Sequence, residues 1–204
     1  MEKLSNSTQP RYDVERRYKA LLEAGELLLC NGYDRAKPQL VAQTAGVSVG
    51  LFYRHFQNKQ ELLTAIMVDR LKILHRQIQQ KIEPNSDPRE QLHQVIVLTL
   101  RYFQSHQGLI KLFFMQIGYG NEVAIEQLRE TRQTYRNILQ NILETGSDRG
   151  YFVSNVDIQI ALNSIVGTIN WTLYDLLIVN NENIKSDELA KKLSAHLLRS
   201  LMAQ

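Results

Sequence analysis

The stretch that decides the fold is Val41-Ala42-Gln43-Thr44-Ala45-Gly46-Val47-Ser48-Val49-Gly50-Leu51-Phe52-Tyr53-Arg54-His55-Phe56. Two short helical segments meet at Ala45-Gly46-Val47, the spacing of a helix-turn-helix. Gly46 suits the turn because a side chain is disfavoured there at positive φ. Ser48 is a good N-cap for the second segment, Val49 to about Phe56. Pro38 fits the first turn of the segment before it, where its missing N–H is not required. Val41, Ala42, Val47, Phe52 and Phe56 can pack inward. That leaves Val49, Gly50, Tyr53, Arg54 and His55 on an outer face able to enter a major groove.

Upstream, the pattern predicts a helix from about Asp13 to Asn31 with the apolar stripe Leu21, Leu22, Ala24, Leu27 and Leu28, ended by Gly32. Residues 1–12 are polar and aperiodic and are expected to form a flexible arm. Downstream, Asn58 caps a long helix to about Ile82, with Glu61 placed as in a capping box. Asp87-Pro88-Arg89-Glu90 starts a helix to about Gln104. A short apolar helix (Gly108 to Ile117) follows, then one capped by Asn121 to about Thr145. A helix from about Val156 to Val179 comes next, and a last one is capped by Ser186. No stretch alternates at period two for long, so the class is all-α. The expected organisation is an arm (1–12), a three-helix helix-turn-helix domain (13–60) and a six-helix ligand-binding and dimerisation domain (61–204).

The 204 residues are 44% hydrophobic and 22% charged, a globular composition. No apolar run exceeds four residues, which argues against a membrane-spanning helix. The first residues have no apolar core of a secretory signal. Cys30 is the one cysteine, so an intrachain disulfide and a Cys-rich metal site are excluded, and a cytoplasmic protein is expected. Residues 1–60 hold nine Lys/Arg against six acids, so the whole net charge of +3 lies in the segment that would meet phosphates.

Chemistry is sparse. His55, His75, His93, His106 and His196 are dispersed over different helices. Glu90-x-x-His93 has the spacing of di-iron bundles but no second copy. There is no G-x-S-x-G, phosphate-binding loop or dinucleotide-binding glycine pattern. A buried packing thiol is the plain reading of Cys30. No enzyme, no metal and no cofactor are expected.

The sequence resembles the tetracycline-repressor (TetR) family. The residues that carry the likeness are Leu21-Leu22-x-Ala24, Leu27-Leu28-x-x-x-Gly32-Tyr33, Val41-Ala42-x-x-Ala45-Gly46-Val47-Ser48-x-Gly50 and Tyr53-x-x-Phe56-x-Asn58-Lys59-x-x-Leu62, with Gly150-Tyr151-Phe152 further on. The resemblance implies a dimeric regulator on a near-palindromic operator in double-stranded DNA. It also implies that Tyr53, His55 and Lys59 touch phosphates. Lys59 has an independent reason, being at a helix N-terminus. Arg16 and Arg17 fit phosphate contact or a solvated helix face equally. Departures from the family pattern include Gly25 for a usual Ala, Leu51 for a small polar residue and Val49 for a usual Lys, Arg or Gln. Val49 and Leu51 could touch thymine methyls, leaving base reading to Arg54 and DNA shape.

Ile158 to Tyr174 carries no charge over 17 positions, so it should be covered on nearly all sides. Leu189, Leu193, Leu197 and Leu201 recur at steps of four on the last helix. A homodimer is expected in which these two helices meet their copies, through Ala161, Ser164, Gly167, Leu193, Leu197 and Leu201. The family's small effectors bind among the body's middle helices, where Phe103, Phe113, Phe114, Tyr135, Trp171 and Tyr174 are the expected lining and Tyr102 and Tyr119 add to the aromatic content. These aromatics fit core filling or a largely apolar effector. The leading reading is a repressor released by such a small molecule. The alternative is a DNA-binding regulator controlled by a protein partner, or an activator, without an effector.

Overall fold

The computed structural model describes residues 9–119 and 122–202, and their side chains over 13–114 and 126–202. Among the described residues every regular element is helical: α1 (Gln9–Cys30), α2 (Pro38–Thr44), α3 (Val49–His55), α4 (Lys59–Lys81), α5 (Pro88–Ser105), α6 (Gln107–Tyr119), α7 (Glu122–Asp148), α8 (Ile158–Tyr174) and α9 (Ser186–Leu201). A short 3-10 turn, Tyr33–Arg35, was not expected. Helix α1 starts at Gln9, so residues 9–12 are helix rather than arm. Residues 1–8 and the cap expected at Asn121 lie outside the described residues.

The caps explain most starts. Ser48 Oγ accepts from Leu51 N–H at 3.2 Å, and Asn58 Oδ1 from Glu61 N–H at 3.0 Å. Glu61 returns a bond to Gln57 N–H at 2.8 Å, one residue outside the usual capping box. Asp87 and Asp157 cap α5 and α8. Ser186 is not a cap. It is the first residue of α9, and its hydroxyl donates to Gln104 Oε1 at 2.8 Å, tying α9 to the end of α5. Gly46 has φ +66°, as the turn requires.

A single core runs from the head, α1–α3, into the body. Leu21, Leu22, Leu29, Val41, Ala42, Phe52 and Phe56 are buried, whereas Leu27, expected in the stripe, is 58% exposed and Leu29 takes the inward place. Val47 is half-buried. A Cβ on Gly25 would lie 2.7 Å from Leu62 Cδ2 and 3.1 Å from Ile66 Cδ1, so α1 and α4 pack closely there and a larger residue would require those side chains to shift. In the body α4 packs on α5, α6 and α7, and α9 lies along α5. The segment Ile158–Val179 is long and apolar enough to cross a membrane by length and composition. Here Leu162, Ile165, Ile169 and Leu173 bury its inner face in the body. Its last turn widens to a π-helix, Asp175–Val179.

Candidate functional site

Two regions concentrate features that the fold alone does not require. The first is the outer side of the head. Phe52 and Phe56 anchor α3 in the core, and the rest of that helix is presented outward. Tyr53 is 51% exposed, Arg54 and Gly50 are exposed, and Val49 and Leu51 are half-buried. Arg16 and Arg17 lie beside Leu51 and Ala45 to Ser48 around a shallow depression. Each guanidinium pairs with Asp13, at 2.9 and 2.6 Å, on the open surface. Such pairs contribute little and exchange readily for a phosphate.

Two expected contacts are placed differently. His55 is not on the outer face. Its ring stands edge-on to Tyr18, 5.2 Å between centroids, beside Phe56, and its Nε2 is buried without a partner. Burial, helped by the charge of Arg54, holds its pKa below the usual histidine value. The cause is register: one residue past Arg54, the side chain has turned back toward α1. Lys59 is already engaged. Its Nζ lies 3.8 Å above the Tyr33 ring, 3.3 Å from Asp34 Oδ1 and 3.4 Å from Tyr33 O. It reaches a phosphate only by giving up Asp34, which is fully exposed and easily exchanged.

The second region is a cavity of about 410 Å³ in the body. Five of the expected residues line it: Phe103, Phe113, Phe114, Tyr135 and Trp171. Tyr174 does not; it stands behind, its ring 4.3 Å from that of Phe114. Tyr102 belongs to the frame, its hydroxyl donating to Arg70 O at 2.9 Å. The side chain of Tyr119 lies outside the described residues. Sequence reasoning missed Leu71, Leu74, His75, Thr99, Arg132 and Arg136, and Val166, Gly167 and Asn170 of α8 share the wall. His75 is 4% exposed and its ring stacks on Tyr135 at 5.7 Å. Burial lowers its pKa to about 4, so the imidazole is neutral at pH 7. Its signal was legible: four residues after Leu71, it occupies a register the helical period reserves for the core. Tyr135 donates or accepts at Thr99 Oγ1, 3.0 Å away, and burial pushes its pKa up to about 12. The Arg132 guanidinium lies 5.0 Å from the Phe113 ring centre, and burial lowers its pKa. The volume and the mostly apolar lining with a few polar groups are those of a small-molecule pocket.

The expected dimer residues divide. Ala161, Leu193, Leu197 and Leu201 are buried within the chain, the leucines between α9 and α5. Their four-residue period marks the face that packs on the chain's own body, which leaves them little surface for a second subunit. Ser164 and Gly167 remain exposed, in line with Ile160 (64% exposed) and Trp171 (65%). No atom lies within 4 Å of a Cβ built on Gly167, so another helix can approach there.

This helix-turn-helix head on a hollow helical body defines a class of DNA-binding regulators, and comparison with known proteins gives the family. The model for bacterial regulatory proteins of the tetR family matches residues 21–66, and that for the tetracyclin repressor-like C-terminal domain matches residues 85–174. The fatty acid metabolism regulator protein of Bacillus subtilis is 25% identical over 175 residues, covering 81% of this chain and 90% of the relative. The probable acrEF/envCD operon repressor of Escherichia coli K12 is 25% identical, covering 72% and 73%. The structure of the transcriptional regulator FadR from Bacillus subtilis in complex with stearoyl-CoA superposes with a TM-score of 0.81 at 22% identity, covering 90% of this chain and 99% of that one. The chain belongs to the TetR family: it is a DNA-binding regulator of transcription, not an enzyme.

Proposed function

We propose that the protein is a homodimeric repressor, acting in the cytoplasm, that holds a near-palindromic operator until a molecule with an apolar acyl chain enters the body cavity. The observation that carries this reading is the sharing of α4. Leu71, Leu74 and His75 of α4 line the cavity. Further toward its N-terminus, Leu62 and Ile66 of the same helix press on Gly25 of α1. An occupant that shifts α4 therefore shifts the head. The stearoyl-CoA in the FadR structure supports an acyl chain as the occupant.

Residues 13–60 would read DNA, with Val49, Gly50, Leu51, Tyr53 and Arg54 in the major groove and Arg16, Arg17 and Lys59 on phosphates. Residues 61–204 would bind the effector and the second subunit, the latter through the exposed line from Ile160 to Trp171. An effector shifts the balance only if it prefers the DNA-incompetent arrangement. A change in the separation of the two heads spoils their match to half-sites about one helical turn apart.

The test is footprinting of the purified protein on genomic DNA, then titration of the footprinted duplex complex with decanoyl-CoA. Release of DNA in step with a change in Trp171 emission is expected. A ligand-induced change in emission with no loss of DNA, across a broad library, would argue instead for control by a protein partner.

A further inference from the structure

A second, larger hollow of about 940 Å³ runs between the head, α4 and α7. Its walls include Tyr18 and His55 from the head, Lys72 and Arg76 from α4, and Thr131 and Thr134 from α7. This groove and the apolar cavity lie on opposite sides of the α4–α7 contact. His75 is the one described residue that lines both. It is nine-tenths buried, and its ring makes no hydrogen bond among the described residues. Both ring nitrogens keep some contact with solvent rather than being sealed without a partner, and a neutral imidazole offers an occupant one N–H donor and one acceptor.

The charges in the groove are also unequal in their engagement. Asp69 pairs with Arg70 at 3.4 Å, and Glu61 accepts from Gln57 N–H. Glu130 is the third carboxylate of the wall. Lys72 and Arg76, one helical turn apart on either side of His75, have no ion-pair partner among the described residues. Trp171, which lines the apolar cavity, is 65% exposed on the face proposed for the second subunit. An occupant too long for the cavity then has its way to solvent past His75.

We infer that the cavity and the groove are two compartments of one site for an anionic acyl conjugate. The chain fills the apolar cavity, the acyl carbonyl accepts a hydrogen bond from His75, and the anionic end lies in the groove beside Lys72 and Arg76. This rests on the effector reading above and adds where each part of the effector goes. It also places the polar end against Tyr18 and His55, so the head is in direct contact with the ligand as well as coupled through α4.

The experiment is calorimetric titration of the full-length protein with decanoyl-CoA, sodium decanoate, methyl decanoate and coenzyme A alone. In the wild type, decanoyl-CoA should bind most tightly and coenzyme A weakly. The double variant Lys72→Glu/Arg76→Glu changes only solvent-facing side chains. It should weaken decanoyl-CoA about tenfold or more, the scale of a lost charge-assisted contact, and leave methyl decanoate unchanged. His75→Trp, which plugs the junction, should exclude decanoyl-CoA but still admit the methyl ester. Decanoate binding as tightly as decanoyl-CoA, and equally indifferent to the double variant, would overturn the two-compartment site. So would a double variant that binds both acyl probes as the wild type does. If no acyl probe binds the wild type, the effector reading itself fails, and this inference with it.

Discussion

Arg70 on α4 holds Glu26 on α1 through two nitrogens, Nε and Nη2, each 2.7 Å from the same carboxylate oxygen. The side chains are only 19% and 17% exposed. The carbonyl of Arg70 in turn accepts from the Tyr102 hydroxyl on α5. One residue thus joins the head, the connecting helix and α5, which carries Thr99 and Phe103 of the cavity wall.

Removing Arg70 leaves the Glu26 charge sheltered and uncompensated. Arg70→Met should cost about 1–3 kcal/mol, less than for a fully buried pair because water still reaches the site. Arg70→Met with Glu26→Gln should recover most of that loss. Urea unfolding of the single and double variants measures both, and a double variant no more stable than the single would mean the arginine acts through its methylenes alone.

Arg54 is exposed in the last turn of α3 and makes no ion pair among the described residues. If it reads a base, Arg54→Ala should cost about 1–3 kcal/mol per half-site and relax preference at one position. Binding to the operator and to point-substituted duplexes separates the cases. An equal loss on every sequence would reassign Arg54 to phosphate.

The two faces of the dimer helices should respond differently to charge. A Cβ at Gly167 meets nothing within 4 Å on an exposed face, so Gly167→Glu should leave the subunit folded while the dimer separates in analytical ultracentrifugation. Leu197→Glu would bury a carboxylate in the chain's own core and should unfold the body, a cost of several kcal/mol. A Gly167→Glu protein that sediments as a dimer would place the contact elsewhere.

His75 gives the stability a pH dependence of known sign. Its pKa is about 4 when folded, against about 6.5 in an unfolded chain. Between these values the unfolded state binds the extra proton. Its contribution is therefore complete above about pH 6.5 and is lost on acidification toward pH 4, at up to roughly 1.4 kcal/mol per pH unit. His55, lowered for the same reason, acts in the same direction. Melting temperatures taken from pH 7 to pH 4.5 should fall more steeply for the wild type than for His75→Phe. Parallel curves would show that the histidine does not titrate in that window.

Helix positions were legible wherever a cap and a period coincide. Ser48, Asn58 and Asp87 each bond the backbone of the helix they precede, whereas Asp157 caps an α8 that begins two residues inside the start expected at Val156. Ser186 misled because a hydroxyl that can cap a helix can equally reach a neighbour, here Gln104. The aromatic lining of the cavity was readable because rings cluster on the middle helices. Arg132 was not, since its sequence neighbours do not reveal that it faces a hollow, and the core register of His75 places it inside without saying that a cavity lies beside it. His55 was misplaced by one residue of helical rotation, enough to turn it from the outer face onto Tyr18. The four-residue spacing of Leu193, Leu197 and Leu201 fixes a buried stripe but cannot say whether the cover is the same chain or another. The structure gives it to α5.

The measurement that bears most directly on the account is the affinity of the wild-type protein for its footprinted operator, with and without decanoyl-CoA at a concentration shown by calorimetry to saturate the protein. The account predicts a fall in DNA affinity of at least about tenfold, the lower range of allosteric coupling energies. Unchanged operator affinity with the ligand demonstrably bound would contradict release by an occupant of the cavity.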